Sequence, residues 1–346
     1  MATILILGAG VMGSALAVPA ADNGHRVLLA GTPLDEAAVA RMKSPGGTHP
    51  KLDSPLPASV EILSDGEVTP DHATAADLIV IGVSSPGIDW AVERLNALLR
   101  TTKPVAFVTK GLERRGDGVA TYAETVPDQV ANIRSFIGIG GPCIARELAN
   151  RYPTTSIYAS HDREAAAFVA GLMQTPYYRL AVGDDVTGVE ACAALKNFFA
   201  IGVSAMQTRH PDLGRPDGQS KNPTAAAFNQ ASREMAALCE SFGGRRDPAF
   251  DVAGIGDLHV TVGGGRNSRL GHFLGAGRTV SEAMSGELAG ETVEGVDTAR
   301  VLTTLTSAGQ GRAAISRDDF PLTFAILDAV TADTPLSFDF GRLGLR

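Results

Sequence analysis

The pattern of apolar and polar positions changes character once along this chain. Up to about residue 183, short aliphatic runs alternate with amphipathic stretches. Runs lie at Thr3–Leu7, Gly24–Ala30, Val60–Leu63, Asp77–Val83, Pro104–Thr109, Ile133–Gly138, Thr155–Tyr158 and Tyr178–Leu180. The Asp77–Val83 run is almost continuously apolar, as expected of a parallel strand covered on both faces. Helical stretches are predicted between runs, after Gly13, after Ser84-Ser85-Pro86, from Cys143 through Glu147 and from Arg163 to Met173. Strands alternating with helices predict a mostly parallel, doubly wound α/β sheet. From Asp184 the apolar positions take helical spacing: Val189, Cys192, Ala193, Lys196, Phe199, Ala200 and Val203. Further helices are predicted at Pro223 to Phe242, Thr279 to Leu288, Thr298 to Ser307 and Pro321 to Val330, with no comparable strand signal. The expected organisation is therefore a sheet domain over 1–186 and an all-helical domain over 187–346.

The first run carries a specific turn. Thr3–Leu7 is followed by Gly8-Ala9-Gly10-Val11-Met12-Gly13 and then a helical stretch. This is G-x-G-x-x-G between a strand and a helix, the context that gives the spacing meaning. Gly8 permits the turn, Gly10 leaves room for a pyrophosphate, and Gly13 lets helix pack on strand. The N–H groups of Val11, Met12 and Gly13 then stand at a positive helix end that favours phosphate. A Rossmann-like, dinucleotide-binding first domain follows. The same stretch is uncharged from Ala2 to Ala21, which also fits a membrane span or a signal peptide. Against those, no basic residue precedes the apolar run.

Composition narrows the partners. The 346 residues carry a formal net charge of -8, so nucleic acid is not expected as the main partner. Cys143, Cys192 and Cys239 are widely spaced and make neither a disulfide framework nor a metal pattern. No metal is expected, nor a membrane span, and the expected location is cytoplasmic. The end of the second strand bears on cofactor choice. An acid there would bind a ribose 2′-OH and favour NAD. Gly31-Thr32-Pro33 stands there instead, with Asp35 and Glu36 beyond, so NAD and NADP both remain open. Thr32 is either a ribose contact or a turn residue. Ser84 follows a central strand, where the cofactor crevice is expected.

Candidate chemistry gathers on few residues. Lys196 sits on the apolar stripe of its helix, four residues after Cys192. Such a lysine is either snorkelling or buried, and burial would move its pKa toward the range useful for proton transfer. Lys110 follows a sheet strand on the side where ligands collect; the alternative is a surface lysine beside a turn glycine. Gly254 to Gly256 and Gly263 to Gly265 predict a glycine-dense loop carrying Asp257, Arg266 and Asn267. Arg266 offers a planar fork for phosphate oxygens. The alternative is a mobile loop with solvated charges.

Taken together, these residues resemble the NAD(P)-dependent glycerol-3-phosphate dehydrogenases. The resemblance runs through Gly8–Gly13, Thr109-Lys110-Gly111-Leu112-Glu113, Gly141-Pro142, Gly188–Asn197, Gly256-Asp257-Leu258, Arg266-Asn267 and Val293-Glu294-Gly295. It implies hydride transfer between NAD or NADP and C2 of a polyol phosphate, glycerol 3-phosphate or a larger analogue. It implies Lys196 as proton donor and acceptor, Lys110 as companion cation and substrate contact, and Asp257 as support for the lysines. It implies Arg266 and Asn267 on the substrate phosphate, Asn197 in the same pocket, and Glu294 on the nicotinamide side. A homodimer is also expected. Cys143 replaces the usual Ser after Gly141-Pro142. The polar segment 207–218 is longer than usual and is expected to reshape the substrate pocket, unless it is a surface insertion. The competing readings are an opine or ketopantoate-type reductase, with Arg266-Asn267 on a carboxylate, and a non-catalytic dinucleotide-binding protein.

Overall fold

The computed structural model describes residues 1–116, 118–307 and 315–342. The chain divides into two compact units: 1–110 with 123–186, and 111–122 with 187–346.

The first unit is built on an eight-stranded sheet. Its strands are β1 (Thr3–Leu7), β2 (Arg26–Ala30), β3 (Val60–Leu63), β4 (Leu78–Ile81), β5 (Lys103–Phe107), β8 (Ile133–Gly140), β9 (Thr154–Ala159) and β10 (Tyr178–Gly183). Two further strands, β6 (Leu112–Arg115) and β7 (Gly118–Thr121), pair with each other elsewhere. The spatial order is β10-β9-β8-β5-β4-β1-β2-β3. All neighbours run parallel except β8 and β9, which are antiparallel. Ile4 to Leu7, Val27 to Ala30 and Leu78 to Ile81 are buried throughout. These are the near-continuous apolar runs of the sequence, and helices cover both faces of the strands they form.

Strand order reverses at β1, which has β2 on one side and β4 on the other. A crevice opens at such a switch, beyond the carboxyl ends of the strands. The glycine turn lies there. Gly8 has φ +113°, and a Cβ on it would meet the Gly82 carbonyl carbon at 2.9 Å. A Cβ on Gly13 would meet the Gly8 carbonyl oxygen at 2.0 Å. Both positions therefore require glycine, and the second lets the helix Val11–Asp22 lie directly on β1. Two helices in this unit lack a clear apolar period and were not expected, Glu36–Lys43 and Pro70–Ala75. The second is specified by its start: Pro70 opens it, and Thr69 and His72 form a capping box.

The second unit is helical, with one addition that the apolar pattern does not predict. The strands β6 and β7, paired antiparallel, belong with this unit. At its centre runs the helix Val186–Arg209. It is long and apolar enough to cross a bilayer by length and composition, yet its most apolar stretch is entirely buried in the protein. Neighbouring helices reach it through glycines. A Cβ on Gly271 would meet the Ile201 carbonyl oxygen at 2.4 Å, and one on Gly275 the Ala205 carbonyl oxygen at 2.1 Å. The helix Arg266–Gly275 thus packs backbone to backbone on the central helix. Glu234, buried in the helix Lys221–Ser241, caps the start of the helix Pro321–Thr331. Its carboxylate accepts from the N–H groups of Leu322 and Thr323, the Thr323 hydroxyl and the Gln230 amide.

Candidate active site

In the first unit, the residues expected around a dinucleotide collect at the carboxyl ends of β1, β2, β4 and β5. The helix Val11–Asp22 has no acidic residue in its first turn, and Gly10, its N-cap, supplies no side-chain cap. Its first N–H groups are therefore left for a ligand or water. A Cβ on Gly10 would find only the Gly82 carbonyl oxygen, at 3.9 Å. The space that Gly10 leaves open is what a pyrophosphate lying against the backbone needs, so the residues present fit a dinucleotide.

Lys110 is half-buried and stands three residues beyond the end of β5, not directly at it. Its segment is tied to the one that follows β4. The Ser85 hydroxyl donates to the Lys110 carbonyl at 2.7 Å, and the Thr109 hydroxyl donates to the Val83 carbonyl at 2.8 Å. Ser84, between Val83 and Ser85, is the N-cap of the short turn after β4. At the end of β2, the Thr32 N–H and hydroxyl both donate to Asp35 Oδ2 at 2.9 Å. The acid that lies past the expected position in sequence is thus folded back toward the strand end. A Thr-x-x-Asp spacing was the available signal for it. His49 has no such signal. It is buried, with the Ala9 carbonyl of the glycine turn as a hydrogen-bond partner, and burial lowers its pKa. Nearby Asp35 opposes that shift, while Lys51 and Arg41 add to it.

In the second unit, Lys196 is buried, at 8 % exposure, with Asp257 at 2 %. Lys196 Nζ donates to Asp257 Oδ1 at 3.0 Å and to the Thr261 hydroxyl at 2.7 Å. Thr261 in turn donates to the Asp257 carbonyl, four residues back on the helix Asp257–Val262. The expected glycine-dense loop is mostly helical. Val252–Gly256 forms a π turn running into that helix, and only the glycines at 263–265 make an open turn. Asp257 is thus buried in the first turn of a helix and not carried on an open loop. Thr261 is a member of the cluster that the sequence reading missed; its position one turn after Asp257 is the only sequence signal.

One residue beyond Lys196, Asn197 Oδ1 accepts from Asn267 Nδ2 at 3.0 Å. Asn267 Oδ1 accepts the Gly295 N–H at 2.8 Å. A Cβ on Gly295 would meet the Asn197 carbonyl oxygen at 2.6 Å and Asn267 Oδ1 at 2.9 Å. Arg266 forms an ion pair with Glu294, and both side chains are partly exposed. Gly265, with φ +96°, turns the chain into the helix that begins with Arg266. The unit therefore gathers Lys196, Asn197, Asp257, Thr261, Arg266, Asn267 and Glu294. The 207–218 segment lies elsewhere. Arg209 ends the central helix 13 residues after Lys196, a rise of about 20 Å at 1.5 Å per residue. Residues 210–217 beyond it are exposed. The expected reshaping of the pocket is not what this geometry provides; the segment is a surface excursion.

A glycine turn at a topological switch in one unit and a buried lysine paired to a carboxylate in the other are features that a nicotinamide-dependent dehydrogenase acting on a CH–OH group requires. Comparison with known proteins makes the assignment narrower. Residues 3–166 match the NAD-dependent glycerol-3-phosphate dehydrogenase N-terminus, and residues 185–337 match the C-terminus of the same family. The chain is 35% identical to an NADP(+)-dependent glycerol-3-phosphate dehydrogenase of Archaeoglobus fulgidus over 282 residues, covering 81% of this chain and 82% of that one. It is 32% identical to a glycerol-3-phosphate dehydrogenase [NAD(P)+] of Methylobacterium radiotolerans, covering 88% and 87%. The crystal structure of glycerol-3-phosphate dehydrogenase from Coxiella burnetii is similar over 96% of both chains, with a TM-score of 0.80 and 28% identity. The chain belongs to the NAD-dependent glycerol-3-phosphate dehydrogenase family. Its cofactor is NAD or NADP, and the opine or ketopantoate-type and non-catalytic readings are not favoured.

Proposed function

We propose that this chain interconverts glycerol 3-phosphate and dihydroxyacetone phosphate, with the Lys196–Asp257–Thr261 cluster handling the proton. That cluster is the observation that carries the reading. A lysine needed only for cofactor binding would not be buried against a carboxylate and a hydroxyl in the helical unit. A nicotinamide cofactor held at the Gly8–Gly13 turn would supply the hydride chemistry at C2. Lys196 takes the C2 hydroxyl proton during oxidation and returns it to the ketone oxygen during reduction. Asp257 and Thr261 stop Nζ from sampling other rotamers, so the nitrogen is positioned before substrate arrives.

The remaining residues divide into charge and geometry. Lys110 is the companion cation for the substrate. Arg266 binds the phosphate through its planar fork. Its ion pair with Glu294 is partly exposed and screened by water, so exchanging that partner for a phosphate costs little. Asn267 acts with Arg266, and its amide link to Asn197 and Gly295 fixes where the fork begins. Gly8, Gly10 and Gly13 shape the pyrophosphate cradle, and the Val11 and Met12 N–H groups line it. Thr32 is assigned to the ribose, Ser84 to the strand end of the crevice and Glu294 to the nicotinamide.

The test is oxidation of NADH or NADPH, followed by absorbance, with dihydroxyacetone phosphate as acceptor. Turnover is expected. Failure with every ketose phosphate, alongside turnover of a 2-keto acid, would overturn the reading. A preference for longer ketose phosphates would replace glycerol 3-phosphate with a larger analogue.

A further inference from the structure

Two cysteines of the helical unit have no part in the chemistry above, yet they meet inside it. Cys192 lies on the central helix and Cys239 on the helix Lys221–Ser241. Both are fully buried, neither is in a disulfide, and their sulfurs are 3.3 Å apart. That is closer than the roughly 3.5–4.0 Å at which even the smaller carbon atoms pack. A second observation does not depend on where the sulfurs point. A Cβ on Gly244, just past the Cys239 helix, would meet the Gly188 N at 2.6 Å and the Gly188 Cα at 2.7 Å. Gly188 lies one turn before Cys192, and Cys239 Sγ also contacts the Gly188 carbonyl at 3.8 Å. The two segments therefore touch backbone to backbone beside the thiols. A disulfide needs such an approach, because its Cα atoms stand only about 4.4–6.8 Å apart.

We propose that Cys192 and Cys239 form an oxidation site that closes to a disulfide when met by a small hydroperoxide, and that closure slows turnover. One sulfur, as thiolate, attacks the peroxide oxygen and becomes a sulfenic acid, releasing water after protonation. The second sulfur then attacks the first and displaces hydroxide, which leaves as water. Two thiols lose two electrons and two protons, and one hydrogen peroxide becomes two waters. Complete burial limits the oxidant to one this small, admitted by local opening. A bulky disulfide such as oxidised glutathione does not fit.

The effect on turnover rests on the role given to Lys196 above. Closure shortens the sulfur separation by roughly 1.3 Å, from 3.3 Å to about 2.0 Å. Lys196 is the next residue on the same face of the helix, four after Cys192. The Cys239 helix packs on the π turn Val252–Gly256, which leads directly into Asp257. The bridge would thus pull on both sides of the Lys196–Asp257 contact. A displacement of about 1 Å at reacting groups can cost on the order of 100-fold.

The full-length protein is treated with hydrogen peroxide, quenched with an alkylating agent and digested without reductant. A peptide linking Cys192 to Cys239 is expected, with kcat reduced roughly 10- to 100-fold and restored by dithiothreitol. Cys239→Ala should lack the linked peptide and keep its turnover through the same treatment. Cys143→Ser should still form the link, since the half-buried third cysteine is not involved. Recovery of Cys192 and Cys239 only as separate alkylated or over-oxidised peptides would overturn the site. A linked peptide with unchanged kcat would overturn its coupling to Lys196. If reduced protein turned over no ketose phosphate, the functional reading would fail, while the peptide map would still decide the bridge.

Discussion

Lys196 shows how one side chain can be committed by its surroundings. Its position on an apolar stripe is visible in sequence, but that position suits a snorkelling lysine equally well. What separates the two is Asp257 and Thr261, which lie 61 and 65 positions away. No local pattern announces such a pairing. Lys196→Met, which keeps the apolar stem, is expected to lower kcat by about 10²- to 10⁴-fold. Fluorescence titration of NADH or NADPH should show cofactor binding nearly unchanged. A kcat within threefold of the parent would remove Lys196 from the proton path. Arg266→Ala tests the other half of the site. Its ion pair is partly exposed, so the stability cost should stay within about 1 kcal/mol. The KM for dihydroxyacetone phosphate should rise at least tenfold, because a charge-assisted fork is lost. An unchanged KM with a large fall in Tm would make Arg266 structural instead.

At the scale of elements, strands and long helices were readable wherever their apolar period was strong. The eight sheet strands and the central helix fall close to the expected positions. Two kinds of element escape the sequence. Glu36–Lys43, Pro70–Ala75 and the paired strands β6 and β7 are short and carry little apolar periodicity, so capping and tertiary contact decide them. Asp257–Val262 and Arg266–Gly275 are hidden by the glycines around them, which read as a loop although tertiary packing makes the segment helical. Glycines are legible in the same uneven way. Gly8 and Gly13 belong to a spacing with a known physical reason. Gly271 sits in an ordinary helix, and only the structure shows the Ile201 carbonyl against it. Gly271→Ala is expected to destabilise by about 1–3 kcal/mol through overpacking on backbone that cannot yield. Gly171, exposed in the helix Arg163–Met173, has nothing within 4 Å of an added Cβ. Gly171→Ala should stabilise by about 0.5–1 kcal/mol, since alanine loses less entropy in a helix. Urea midpoints for the two variants should therefore move in opposite directions. A shared direction would contradict the packing described here.

Over the whole molecule, stability should depend on pH through groups buried in both units. His49 and His272 have pKa values lowered by burial. Neither could be identified from sequence, because nothing around them marks a buried histidine. An imidazole kept neutral by the fold binds fewer protons than it does in the unfolded chain. Between the usual value near 6.5 and the lowered one, the unfolded state therefore takes up more protons. Their contribution is complete above about pH 6.5 and is lost as pH falls through that window. Glu234 works in the opposite sense. Burial raises its carboxyl pKa despite four donated hydrogen bonds, so its effect weakens the fold as pH rises above the usual carboxylate range. The two effects overlap in a simple pH titration of stability, and only a difference between variants separates them. The urea midpoint of the parent should fall from pH 7 to pH 5 more steeply than that of the double variant His49→Gln, His272→Gln. Glutamine keeps a donor at each site without a titrating ring. Parallel curves for the two proteins would show that neither histidine is held neutral by the fold.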